Sequence, residues 1–122
     1  MTTIYHRTEM LVGTDGMEAL RQAHVAVAGI GGVGSYVVEA LARAGVGKLT
    51  LVDHDTVDIT NLNRQIHALQ STVGQPKVEA MAQRIRDINP EIEVITHQEM
   101  LLADNFADIF SGKIRTALLQ WF

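Results

Sequence analysis

Cysteine is absent from the chain, and with it go disulfides, thiol nucleophiles and cysteine-ligated zinc. An excess of basic residues is missing too. Ten Lys and Arg stand against fourteen Asp and Glu, a net charge of -4 with the five histidines neutral, so the chain is not built to coat a nucleic acid by charge alone. No apolar run approaches the ~20 residues that a bilayer span requires, and residues 1–9 lack the charged-then-apolar order of a signal peptide. These absences point to the cytoplasm and to no membrane partner. The histidines His6, His24, His54, His67 and His97 fall at no metal-binding spacing. No G-x-x-x-x-G-K-[ST] string occurs, which excludes a P-loop ATPase. Only two prolines are present, and no repeat or low-complexity linker. What remains is apolar: 47% of the 122 residues are hydrophobic and 20% charged, the composition of a single globular domain spanning 1–122.

Hydrophobic periodicity orders the chain as alternating strands and helices. Residues 16–23 suit a short helix, and residues 24–28 (HVAVA) a buried strand that runs straight into a glycine cluster. From Val33, the apolar Val37, Val38, Leu41 and Ala44 recur at helical spacing, with Ser35, Glu39 and Arg43 assigned to the opposite, polar side. Residues 48–53 form a second strand, reached through a helix and hence parallel to the first. Residues 54–75 read as a long irregular loop with one helical turn over 66–69. Pro76 opens a helix whose buried stripe is Val78, Met81, Ala82, Ile85 and Ile88, and a third strand follows over 92–96. A last short helix over 103–110 is expected to bury Phe106, Ile109 and Phe110. The fold class is α/β: a Rossmann-like three-layer arrangement with a parallel sheet, limited to about the first three strands.

Gly29, Gly31 and Gly34 match G-x-G-x-x-G between a strand and a helix, and Asp53 follows nineteen residues after the last of them. A side chain at the first two glycines would obstruct the turn or the approach of a phosphate, and the free N–H groups at the helix start would face the anion. Asp53, at the end of the second strand, is placed to accept hydrogen bonds from ribose hydroxyls, a role that NAD and ATP sites share. The same residues also suit packing and capping. Arg64 and Lys77 separate the readings. If the loop folds back over the glycine turn, two cations reach the outer phosphates of a triphosphate, where charge accumulates as an adenylate forms; taken singly, each also fits a solvated surface position.

The strings GIGGVGS, ALARAGVGKLTLVDHDTV, NLNRQ, TVGQPKVE and RIRDINP together resemble the adenylate-forming superfamily of ThiF, MoeB and ubiquitin-activating enzymes, over about residues 7–110. Within it, NLNRQIHAL, TVGQPK and RIRDINP are most similar to the tRNA threonylcarbamoyladenosine dehydratases. The resemblance implies ATP and Mg2+ as cofactors and activation of a carboxylate, that of the threonylcarbamoyl group on position-37 adenosine of tRNA, which then closes into a ring. It places Gly29, Gly31, Gly32 and Gly34 along the phosphates, Asp53 at the ribose with Asp55 beside it, Asn61 and Arg64 on phosphate, and Lys77 facing the α- and β-phosphates. Arg7 corresponds to the family arginine that enters a neighbouring subunit's site, which implies a homodimer. Arg7, Arg64 and Lys77 are thus the expected catalytic groups.

Residues 111–122 depart from the family pattern, and no acid follows Asp108. The metal carboxylate of the family's fourth strand is therefore not expected here, no metal ligand is assigned, and the tail reads as atypical, with the sheet edge beside it open. On this reading the chain is the ATP-binding, N-terminal half of a longer adenylating enzyme, with tRNA recognition lying beyond it. A truncated nucleotide-binding module without catalysis and an NAD-dependent oxidoreductase domain remain as alternatives.

Overall fold

The computed structural model describes residues 3–110 and the backbone of 116–119. In chain order the elements are α1 (His6–Gln22), β1 (His24–Ala28), α2 (Gly34–Ala44), β2 (Lys48–Val52), a 3₁₀ turn (Ile59–Asn63), α3 (Lys77–Ile88), β3 (Glu93–His97), α4 (Phe106–Ile109) and β4 (Thr116–Leu119). The strands make one parallel sheet in the order β3-β2-β1-β4. The α/β, Rossmann-like architecture is therefore present, but the sheet has four strands where about three were expected. β4 pairs alongside β1, Val25 opposite Thr116 through Ala28 opposite Leu119, so the edge expected to be open carries a strand. A run of four residues has too little periodicity to be told from loop or helix by pattern. The rest of the atypical tail, 111–115 and 120–122, lies outside the described residues.

Side chains alternate across a strand, and here both faces are covered. Val25, Val27, Leu49 and Leu51 form one core with Val38 and Ala42 of α2 and with Val78, Met81 and Ile85 of α3. Ala28 and Val52 face the other way, against Ile109 and the partly buried Leu101 and Phe110. Helices thus flank the sheet on two sides, giving three layers. Burial on both faces explains why β1 and β2 read as continuous apolar runs.

Four local expectations are corrected. α1 begins ten residues earlier than the short helix foreseen, and breaks at Gly13, whose φ is +77. In α2, Ser35 and Glu39 are buried rather than solvent-facing. Glu39 survives burial because Arg84 of α3 donates to its Oε1 at 2.7 Å and Arg43 to its Oε2 at 2.8 Å. The helical turn in the loop falls at Ile59–Asn63, where Asp58 caps it by accepting the Thr60 N–H at 2.9 Å, not at 66–69. Phe106 is 47% exposed; its ring leans on Phe110 at a centroid distance of 4.6 Å instead of entering the core.

Candidate functional site

β1 has β2 on one side and β4 on the other, the arrangement that leaves a crevice beyond the carboxyl ends of parallel strands. A cleft of about 630 Å³ opens there. Gly29 leaves β1 with φ +92, a conformation costly for any residue with a Cβ, and donates its N–H to the Val52 carbonyl at 2.8 Å. The next N–H, of Ile30, donates to Asp53 Oδ2 at 2.7 Å, and the Asp55 N–H donates to Asp53 Oδ1 at 2.8 Å. Asp53 is thereby fixed at the end of β2, with lone pairs left for further donors. Ser35 N–H bonds the Gly31 carbonyl at 3.0 Å as α2 begins. No side chain caps that helix, and a helix start of this kind is suited to face an anion.

The long loop supplies the opposite wall, and local bonds explain its shape. Val57 and Gln75 pair through an N–H to carbonyl bond of 2.8 Å, and Val57, Ala68 and Ala80 make a small core of their own. Asn61 Oδ1 accepts the Asp58 N–H at 2.8 Å, which leaves its amide nitrogen to donate into the cleft. Arg64 is held by Nη1 donating to the Thr60 carbonyl at 3.2 Å and to Asn63 Oδ1 at 3.0 Å. Its stem lies over the glycine turn: a methyl built on Gly32 would sit 3.7 Å from Arg64 Cγ.

Lys77, the first residue of α3, is only 7% exposed. Its ion-pair partner, Asp55, lies 3.9 Å from Nζ, beyond hydrogen-bond reach. A buried ammonium held this loosely is costly until a closer acceptor arrives. The far wall is apolar, formed by Met100, Leu101 and Leu102. Asn105 clasps that segment: its Oδ1 accepts the Leu102 N–H at 2.7 Å and its Nδ2 donates to the Met100 carbonyl at 2.8 Å.

Of the residues expected from sequence, Gly29, Gly32, Asp53, Asp55, Asn61, Arg64 and Lys77 all line this cleft. Gly31 and Gly34 stand behind the lining, where the turn becomes α2. The surface reading of Lys77 fails, since it is buried, while Arg64 is exposed. Arg7 is not in the cleft. It is exposed on α1 beside Tyr5, whose hydroxyl donates to the Ala42 carbonyl at 2.8 Å at the other end of the sheet. Two residues were overlooked. Gln65 lines the cleft at 6% exposure, with Oε1 meeting no partner among the described residues, and His67 is buried behind it. The one sequence signal for them was their place directly after Arg64 in NLNRQIHAL.

Asp53, His54 and Asp55 each bring one potential ligand atom within 4.8 Å of the others. The set does not fit Mg2+ well. Both Asp53 oxygens already accept N–H bonds, His54 Nε2 pairs with Asp55 at 3.2 Å, and Mg2+ prefers oxygen donors in near-octahedral geometry. The Lys and Arg side chains that line the described cleft are those of Lys77 and Arg64.

The ThiF family model matches residues 5–116. The tRNA threonylcarbamoyladenosine dehydratase of Bacillus subtilis is 55% identical over 106 residues, 87% of this chain and 42% of that protein. The molybdopterin-synthase adenylyltransferase of Salmonella typhimurium is 44% identical over 110 residues, 88% of this chain and 44% of that protein. The crystal structure of the Escherichia coli tRNA threonylcarbamoyladenosine dehydratase in complex with ATP superposes with a TM-score of 0.93 at 44% identity, covering 96% of this chain and 48% of that one. The chain spans less than half the length of each of these relatives.

Proposed function

Because this chain belongs to the ThiF family, we propose that its cleft binds ATP and serves the adenylation of a carboxylate, as part of a tRNA threonylcarbamoyladenosine dehydratase. The observation that carries the reading is the loosely paired, buried ammonium of Lys77 beside the glycine turn and Arg64. The ribose hydroxyls donate to Asp53. The phosphates lie along the glycine turn and the start of α2, with Asn61 donating to them, and the base rests on the apolar wall of 100–102. A carboxylate oxygen attacks the α-phosphorus and pyrophosphate departs; Lys77 and Arg64 stabilise the charge that grows on the leaving group. The activated carboxyl of the threonylcarbamoyl group then closes into a ring as AMP leaves. Mg2+, which the family resemblance implies, has no well-fitted ligand set among the described residues, and no step here depends on it.

Arg7 cannot serve its own cleft from the opposite end of the sheet, so it acts in the cleft of a second copy. The exposed Met10, Leu11 and Val12 on the same helix half suit burial in such a homodimer. The cytoplasm, where ATP and tRNA meet, is the compartment this reading requires; no described helix is long and apolar enough to cross a membrane. Calorimetric titration with ATP and, separately, NAD tests the nucleotide assignment. ATP is expected to bind at least tenfold more tightly, and equal or tighter binding of NAD would remove the adenylation reading.

A further inference from the structure

His67 is 1% exposed, although it sits in a loop with many exposed polar residues. Burying an imidazole is costly unless its nitrogens are matched. One is matched: Nε2 lies 2.9 Å from the Ile30 carbonyl. A carbonyl oxygen only accepts, so Nε2 carries the proton and the neutral ring leaves Nδ1 bare. Nδ1 is buried and meets no hydrogen-bond partner among the described residues.

Ile30 is the first residue inside the glycine turn, and it is gripped from both sides. Its N–H goes to Asp53 Oδ2 at 2.7 Å and its carbonyl to His67. The neighbouring Ile66 N–H reaches the buried Ser35 Oγ at 3.3 Å. Arg64, three residues before His67, packs over Gly32. The histidine therefore joins the strand-to-helix turn to the loop that carries the exposed cation.

We propose that His67 is a positioning residue for nucleotide binding: by holding the Ile30 carbonyl it sets the spacing between the glycine turn and Arg64. This rests on the ATP reading of the cleft. Burial holds the imidazole below its ordinary pKa; the hydrogen bond to Ile30 and the charge of Asp53 oppose that shift, and the charge of Lys77 adds to it. The neutral ring is thus the form this burial favours: its contribution to stability is complete above the ordinary histidine pKa and is lost as pH falls through the lowered folded one, where a second N–H at Nδ1 has nothing to receive it.

The test titrates ATP and AMP into the wild type, His67→Leu and His67→Gln at pH 7 and pH 5, with a thermal melt of each. Glutamine offers an amide N–H at about the reach of Nε2 and does not titrate. His67→Leu is expected to weaken ATP about tenfold and AMP less, since Arg64 serves the outer phosphates. His67→Gln should stay within about threefold at pH 7, and should lose less melting temperature than the wild type between pH 7 and pH 5. A folded His67→Leu that binds ATP as tightly as the wild type overturns the proposal, as do equal losses of melting temperature from pH 7 to pH 5 in the wild type and His67→Gln. Should His67→Leu not fold, the glutamine comparison decides. If the wild type binds no ATP, the nucleotide reading falls by itself. Amide exchange over residues 29–34 then judges the grip: His67→Gln must leave it slow, and fast exchange overturns it.

Discussion

At Lys77 two demands conflict: the free protein gains from removing a buried, loosely paired charge, and an anionic ligand gains from keeping it. Lys77→Met, which preserves the stem, is therefore expected to leave the melting temperature of the free chain unchanged or raise it, while weakening ATP at least tenfold. Melting curves and titration of one preparation check both halves. Arg64→Ala should cost similar affinity but leave stability within about 0.5 kcal/mol, because the side chain is exposed. The contrast between these residues was invisible in the sequence. Both are cations in polar surroundings, and only the Asp55 carbonyl, which accepts the Lys77 N–H at 3.0 Å, and the packing of α3 decide that one is buried. The places of Gly29 and Asp53 on the cleft were legible because they follow from local geometry at fixed spacing. His67 was not, because its partner is a backbone carbonyl 37 positions away.

Between elements, a buried polar link joins α2 to α3 through Glu39. Burial alone would raise its carboxyl, but the hydrogen bonds from Arg84 and Arg43 outweigh that and hold it below the usual carboxylate range. A carboxyl whose folded pKa is lowered stabilises the protein above its unfolded pKa and loses that contribution as pH falls through the folded one. Glu39→Gln should therefore cost about 1–3 kcal/mol at neutral pH, with the difference from the wild type shrinking below about pH 4; urea denaturation at several pH values measures it. Gly47 exposes a different kind of junction. It donates its N–H to the Leu20 carbonyl at 3.1 Å, and a Cβ there would overlap the Arg21 carbonyl of α1. Gly47→Ala is expected to destabilise by about 3 kcal/mol, read from the same denaturation curves. Helical periodicity located α2 and α3 to within a residue or two, yet it assigned Glu39 to solvent, since a stripe of apolar residues says nothing about a carboxylate that finds two arginines. The kink at Gly13 was missed for the converse reason: α1 buries no residue fully, so no stripe marks its first half.

Over the whole molecule, protection should follow the sheet outward from its middle. β1 is flanked by strands on both sides and its residues 25–28 are buried, whereas the first half of α1 is exposed. Amide exchange is expected to be slowest in β1 and β2 and fast before Gly13; mass spectrometry of peptic fragments would show it, and equal protection of the two regions would contradict the layering. The parallel α/β architecture was legible from strand, glycine turn, helix and strand in sequence, while the fourth strand was not, because nothing local ties four residues near one end of the chain to a partner near the other. That pairing has a kinetic consequence. β1 and β2 meet after closing a loop of some twenty residues, but β1 and β4 must close one of about ninety. Loop-closure entropy makes the second contact later as well as rarer in the unfolded chain. During synthesis the strand that launches the glycine turn must wait with one edge bare until residues 116–119 emerge, and a chaperone that shields strand edges would act in that interval.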